Sequence, residues 1–236
     1  MAKLRIWCVI PAAGTGQRMG ADRPKQYLKI AGRMVIEHTL EEFAGHPRIA
    51  GVTVALAPGD PWWSQVKLAG GLQVKPCEGG GRRFESVLSG LDALKADGAD
   101  DGDLVLVHDA ARPCVRREDI DRLVDAARVH SVGAVLGMPV RDSMKRTEAD
   151  NSVRETVSRV NLWHAFTPQG FRLGRLRLAL ERALEEGAEV TDEAQAMERI
   201  GDRPLMVEGH ADNLKITTPS DLQLAEHFLA ARAASK

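Results

Sequence analysis

Four groups of residues in this 236-residue chain have the types and spacing to do chemistry on phosphates. The first is Ala12-Ala13-Gly14-Thr15-Gly16-Gln17-Arg18, followed closely by Pro24-Lys25-Gln26-Tyr27. Small residues let backbone N–H groups approach a ligand, and successive N–H groups in such a turn form a concavity suited to phosphate oxygens. Arg18 and Lys25 add two full positive charges, which an ordinary tight turn does not need. The second group is the glycine-rich loop Gly79-Gly80-Gly81 with Ser86, opening a helix at about residue 82; it reads either as an acceptor or anion site or as a flexible loop with a capping serine. The third is Asp109, at the end of an apolar run, where one carboxylate is enough for Mg²⁺ when phosphates and water complete its shell. Arg112, three residues on, can bind phosphate or brace Asp109. The fourth is Lys215, whose apolar neighbours Leu214 and Ile216 point it to the opposite face, toward solvent or toward a site. Together these parts describe a cradle for a polyanion such as a nucleoside triphosphate.

Two familiar glycine motifs do not fit. A dinucleotide fingerprint needs a third small residue where Met19 stands, and a phosphate-binding P-loop needs a Gly-Lys-Ser/Thr that is absent.

The elements that must position these groups follow from periodicity. Residues 4–10, 51–57, 103–108 and 133–140 are apolar runs that read as strands, with a short candidate at 73–75. Residues 34–43, 82–95, 118–130 and 173–186 carry apolar residues at helical spacing, and Thr218-Pro219 starts a closing helix over 222–231. Thr191 reads as the N-cap of another helix, and 205–208 and 213–217 as final short strands. Trp62 and Trp63 follow Pro61 at a helix start, to pack under a loop or stack on a base. The alternation predicts an α/β, doubly wound, mostly parallel Rossmann-like sheet. It breaks at residues 141–161, a polar stretch with a turn near Asp150 and Asn151 that reads as a β-hairpin needing a partner, or as a solvated surface hairpin.

Composition narrows the rest. With 44% apolar and 28% charged residues the chain can bury one large core, predicting a single domain over 1–236. A net charge of −1 argues against nucleic-acid and membrane-surface partners. Cys8, Cys77 and Cys114 are odd in number and widely spaced, and read as reduced thiols. No apolar run approaches a membrane span and the first strand begins at residue 4, so a cytoplasmic protein is expected.

The glycine loop with Arg18 and Pro24-Lys25-Gln26 resembles the signature of nucleotidyltransferases that join a nucleoside triphosphate to a sugar or polyol phosphate. With Tyr27, it is similar to that of the cytidylyltransferases acting on 2-C-methyl-D-erythritol 4-phosphate, in non-mevalonate isoprenoid biosynthesis. The resemblance runs from Pro11 to Lys215 and includes Thr167-Pro168-Gln169. It implies a nucleotidyltransferase-type fold that transfers CMP from CTP, with Mg²⁺ and without a covalent enzyme intermediate. Ala12, Ala13, Gly14, Gly16, Asp109 and Ala110 would bind the nucleotide, and Gly80, Gly81 and Ser86 would read the cytosine. Arg18, Lys25 and Lys215 would be catalytic, and Arg112, Ser143, Arg159, Thr167, Thr191 and Lys215 would bind the acceptor. The 141–161 arm would cross to a second subunit of a homodimer, carrying Ser143, which keeps the hydroxyl of the family's threonine, and Arg159. A ribitol 5-phosphate cytidylyltransferase and a non-catalytic nucleotide sensor are the alternatives; the first would differ at Ser143, Arg159 and Thr167 and stays open, and joint retention of Arg18, Lys25, Asp109 and Lys215 disfavours the second.

Overall fold

The structure is a computed structural model describing residues 4–14 and 22–234. The chain runs β1 (Ile6–Pro11), a small ribbon of β2 (Lys29–Ile30) and β3 (Arg33–Met34), α1 (Val35–Ala44), β4 (Gly51–Leu56), β5 (Lys75–Glu78), α2 (Arg83–Ala96), β6 (Leu104–Val107), α3 (Arg117–Val129) and β7 (Gly133–Pro139). It continues through β8 (Met144–Thr147), β9 (Val153–Val157), β10 (Trp163–Arg172), α4 (Leu173–Glu185), α5 (Glu193–Arg199), β11 (Leu205–Glu208) and α6 (Pro219–Ala234). Seven strands form one sheet in the order β11-β7-β10-β6-β1-β4-β5.

Strand alternation decides what each face of that sheet buries. In β1, Ile6, Cys8 and Ile10 face one way with Leu104 and Leu106 of β6, and α1 and α3 cover them through Ile36, Leu40, Phe43, Ile120 and Leu123. Trp7 and Val9 face the other way with Val105 and Val107, under Phe84, Val87 and Leu91 of α2 and Leu176 and Leu180 of α4. Each such side chain taken fully out of water contributes about 1.5–3 kcal/mol. A sheet apolar on both faces must be covered on both, which is why helices alternate with strands. A third cluster seats α6, through Ala225, against Ile30, Val35, Cys114 and Ile216. No helix among the described residues is long and apolar enough to cross a membrane.

β10 runs antiparallel to both β6 and β7, whereas the other pairs in the sheet are parallel. Parallel neighbours need a crossover, usually a helix, but between β7 and β10 lies only the β8–β9 hairpin, so the chain returns in the opposite sense. β8 and β9 pair only with each other, and most of their residues are exposed. Their turn lies where expected, with Asn151 at φ +66°.

Several expectations shift. Residues 213–217 form no strand: the Asn213 amide donates to the Thr167 carbonyl and the Asn213 carbonyl accepts from Arg112, so side-chain bonds replace a ladder. Asp192, not Thr191, caps α5, because its carboxylate accepts from the Gln195 N–H at 2.9 Å while the Thr191 hydroxyl donates to the Gln195 side chain. The strand expected at 73–75 begins at Lys75 and ends at Glu78. Trp62 and Trp63 start a three-residue 3-10 turn rather than a helix; both pack half-buried on the core, and the Arg23 guanidinium lies over Trp62. Cys8 and Cys114 are buried and Cys77 half-buried, all with free thiols.

Candidate active site

The strand order reverses at β1: β4 and β5 lie to one side of it and β6 to the other. Open α/β sheets bind ligands beyond the C-terminal ends of the strands at such a switch point. Here a cleft of about 390 Å³ opens between Ala12–Gly14, beyond β1, and Asp109–Ala110, beyond β6.

The glycine loop is set by backbone and one side chain. The Ala12 N–H donates to the Ala55 carbonyl of β4 at 2.7 Å, continuing the ladder past the strand. Gln26 is buried, and its amide donates to the Ala12 carbonyl at 2.7 Å and the Gly14 carbonyl at 3.1 Å. Gln26 therefore ties the Pro-Lys-Gln segment to the loop and fixes where Lys25 starts. Arg18 and Gly16 lie outside the described residues.

The second glycine loop meets the first across the cleft. A Cβ on Gly80 would come within 2.4 Å of Glu85, so only glycine lets that turn close. Ser86 accepts from the Gly80 N–H at 3.1 Å, and its hydroxyl proton faces the Gly80 and Arg82 carbonyls at 3.3 Å. The serine thus shapes the loop from inside rather than capping the helix.

Asp109 is the electrostatic centre. Its Oδ1 accepts from Arg83 Nε at 2.9 Å, its Oδ2 from Lys215 Nζ at 2.8 Å, and Arg112 Nε lies 3.5 Å from Oδ2. Burial alone would push this carboxyl up, but Arg83, Lys215 and Arg112 together hold it well below the usual carboxylate range. Asp109 is therefore ionised throughout the physiological range. It is the one carboxylate among the described residues lining the cleft, and those residues include no cluster of three or more His, Cys, Asp or Glu that could hold a metal. That donor set suits Mg²⁺, which takes one or two carboxylates and fills its shell with phosphates and water, and does not suit zinc or calcium.

Lys215 reaches the cleft because its loop is pinned on both sides. Asp212 pairs with Arg116 at 2.8 Å and with Arg232 of α6 at 3.3 Å, and the Asn213 bonds hold the next residue. Lys25 Nζ donates to the Ile216 carbonyl at 2.7 Å, across 191 positions of sequence. Lys25 is thus tied to the residue that follows Lys215, and both lysines line one cleft.

The cleft thus gathers Ala12, Ala13, Gly14, Lys25, Gly80, Gly81, Ser86, Asp109, Ala110 and Lys215 from the sequence reading. Arg112 and Thr167 are placed beneath it instead. Arg112 is buried, with its Nε 3.5 Å from Asp109 Oδ2 and its guanidinium against Phe166, the placement that the bracing reading describes. Thr167 is buried too: its hydroxyl accepts from the Asp109 N–H at 3.0 Å and lies 3.1 Å from His108 Nδ1, so it holds the Asp109 turn rather than facing the cleft. Ser143, Arg159 and Thr191 are exposed and do not line the cleft; the Arg159 guanidinium bonds the Arg141 carbonyl at the base of the hairpin. Arg83 and Thr217 were given no role from the sequence yet line the cleft, and Gln26, read only as part of the Pro-Lys-Gln motif, lines it too. Glu85, which accepts from the Arg82 N–H, marks where α2 opens, but nothing in the local pattern shows that Arg83 turns inward.

Comparison with known proteins gives a consistent picture. A profile of the family described as 2-C-methyl-D-erythritol 4-phosphate cytidylyltransferase matches residues 6–231. A protein of that name from Ectopseudomonas mendocina is 53% identical over 218 residues, covering 92% of this chain and 93% of the relative. Another from Pseudomonas aeruginosa is 54% identical over 217 residues, with coverages of 92% and 93%. Among solved structures, a 4-diphosphocytidyl-2C-methyl-D-erythritol synthase aligns with a TM-score of 0.83 at 37% identity, covering 96% of this chain and all of that one. The Francisella tularensis cytidylyltransferase aligns with a TM-score of 0.82 at 36% identity, covering 95% and 99%.

Proposed function

This chain belongs to the 2-C-methyl-D-erythritol 4-phosphate cytidylyltransferase family, and on that premise we propose how its residues carry CMP from CTP to the phosphate of 2-C-methyl-D-erythritol 4-phosphate, in the cytoplasm. An acceptor phosphate oxygen attacks the α-phosphorus, the bond from that phosphorus to the bridging oxygen breaks, and pyrophosphate leaves with the bonding electrons. Both reactants are anions and the acceptor is already ionised, so the protein has to overcome repulsion and align the reacting groups rather than remove a proton.

The observation that carries this reading is the convergence of Lys25 and Lys215 with Asp109 at the strand switch point. A cation about 4 Å from a phosphate oxygen attracts it by roughly 4 kcal/mol at an effective dielectric of 20. Lys25, with Arg18, holds the triphosphate and the charge that develops at the α-phosphorus; Lys215, leaving Asp109 for the acceptor phosphate, orients the nucleophile. Gly80, Gly81 and Ser86 present backbone groups to the pyrimidine edge. Asp109 would hold Mg²⁺, which when bound supplies charge neutralisation between the triphosphate oxygens. Arg112 and Thr167 keep Asp109 in place from beneath. The β8–β9 arm reaches a second copy of the chain, where Ser143 and Arg159 complete the acceptor site; their exposure, and their place outside the lining of their own chain's cleft, support that sharing.

The test is pyrophosphate release with CTP and Mg²⁺, offering methylerythritol 4-phosphate or ribitol 5-phosphate, with ATP and UTP as controls and with EDTA in a parallel set. Release is expected only with CTP and the methylerythritol phosphate, and EDTA abolishes it. Release with ribitol phosphate instead would overturn the acceptor, and CTP binding without release from either would favour a sensor.

A further inference from the structure

Behind Asp109 lies a second carboxylate that the reaction does not touch. Glu193, the first residue of α5, has no solvent exposure, and its two oxygens accept from Arg83 Nη1 at 2.6 Å and Nη2 at 3.2 Å. The same guanidinium gives its Nε–H to Asp109. A guanidinium keeps its proton and here gives one N–H to each carboxylate oxygen, the geometry of an ionic pair, although burial pushes the Glu193 carboxyl upward. The start of α5 is itself fixed: Gln169 accepts from the Ala194 N–H at 2.8 Å and donates to Asp192 at 3.0 Å.

Charge explains why an acid is kept there. Three cations, Arg83, Arg112 and Lys215, surround the single negative charge of Asp109. A divalent cation approaching that carboxylate meets their combined repulsion, and a buried guanidinium cannot lose its proton to relieve it. Glu193 neutralises one of the three from the side away from the cleft.

We propose that Glu193 is a positioning residue for magnesium and nucleotide: it holds the Arg83 fork and cancels its charge, so that Arg83 does not repel the cation Asp109 accepts, while Arg112 and Thr167 keep Asp109 in place. The inference rests on the reading of Asp109 as the magnesium carboxylate given above. It also links the two halves of the site, since residues 191–193 open α5 beside the acceptor-side Thr191 while Arg83 belongs to the helix that follows the second glycine loop.

Calorimetric titration of CTP into wild type, Glu193→Gln and the double variant Arg83→Gln/Glu193→Gln, with and without Mg²⁺, tests it. The quantity read is the factor by which Mg²⁺ tightens CTP binding. Glu193→Gln is expected to lose about tenfold of that factor while its metal-free CTP affinity stays equal or tightens, because the variant adds net positive charge facing a polyanion. The double variant, which removes both charges, regains the factor to within about threefold. A merely structural glutamate would weaken both titrations alike, and that result, or an undiminished factor, overturns the proposal. Should Glu193→Gln not fold alone, a folded double variant that has lost the factor overturns it equally. If wild type itself gains nothing from Mg²⁺, the Asp109 reading fails instead.

Discussion

His108 shows how much one buried side chain settles at this site. It is fully buried, with Nε2 3.1 Å from the Arg112 carbonyl and Nδ1 3.1 Å from the Thr167 hydroxyl. A carbonyl only accepts, so Nε2 carries the proton, Nδ1 accepts from Thr167, and the Thr167 oxygen is left to accept from the Asp109 N–H. This order needs a neutral ring, and burial supplies it by pushing the His108 pKa down to about 3. The sign of the consequence follows by linkage. Between the unfolded value near ~6.5 and the folded value, the unfolded chain binds more protons, so the contribution is complete above about pH 6.5 and is lost as pH falls toward the folded value. Replacing His108 with Gln should therefore remove about 1.5 kcal/mol of the stability wild type loses between about pH 6.5 and 5, read from urea unfolding at both pH values. Identical pH dependence in the two proteins would assign the acid sensitivity to other groups. The sequence offered His108 only as the last residue of a strand; its role depends on Thr167, 59 positions away.

The helix and strand that frame the cleft meet through an absent side chain. Gly90 lies in the middle of α2, and a Cβ there would come within 2.4 Å of Val9 Cγ1 and 3.2 Å of Cγ2. Val9 is β-branched and fully buried under α2, so its χ1 has little freedom to turn away. Alanine gains about 1 kcal/mol of helix propensity over glycine, but overpacking at a site this tight costs about 1–3 kcal/mol. Gly90→Ala is expected to lower unfolding free energy by up to about 2 kcal/mol in denaturant titration and, by displacing Arg83, to weaken CTP binding. A gain in stability would show that α2 shifts away freely. Element existence was legible wherever period and burial agreed, as in β1, β6, α2 and α3. It failed at 213–217, where alternation around Lys215 looked like a strand but Asn213 and Asp212 bond to side chains and to another loop.

At the scale of the whole molecule, the proposed acceptor residues are divided between the cleft and the exposed hairpin. Val153 and Val160 are 62% and 75% exposed on that hairpin and its return, an apolar surface that a second copy can cover. If the site is shared, Lys25→Ala and Arg159→Ala each disable a different half, and Lys25→Ala alone should lose turnover by on the order of 10²-fold. Mixing the two after subunit exchange should restore up to about a quarter of wild-type turnover, because mixed dimers contain one intact site and form half the population. No recovery, with exchange confirmed by mass spectrometry of labelled subunits, would put Arg159 in its own chain's site or in none.

By itself the sequence determined the loops and their chemistry: which turns are rich in glycine, which carboxylate ends a buried strand, and which lysines flank them. It could do so because strand termini, glycine and local charge are readable within a dozen residues. Only the tertiary structure decided which of those groups face one another. It brought Lys25 beside Ile216, set Arg83 between Asp109 and Glu193, and put Arg112 and Thr167 beneath the cleft rather than in it. The partners of Lys25 and Arg83 are 26 to 191 positions away, and which of them meet depends on strand order and helix packing, which fix in space what spacing along the chain leaves free.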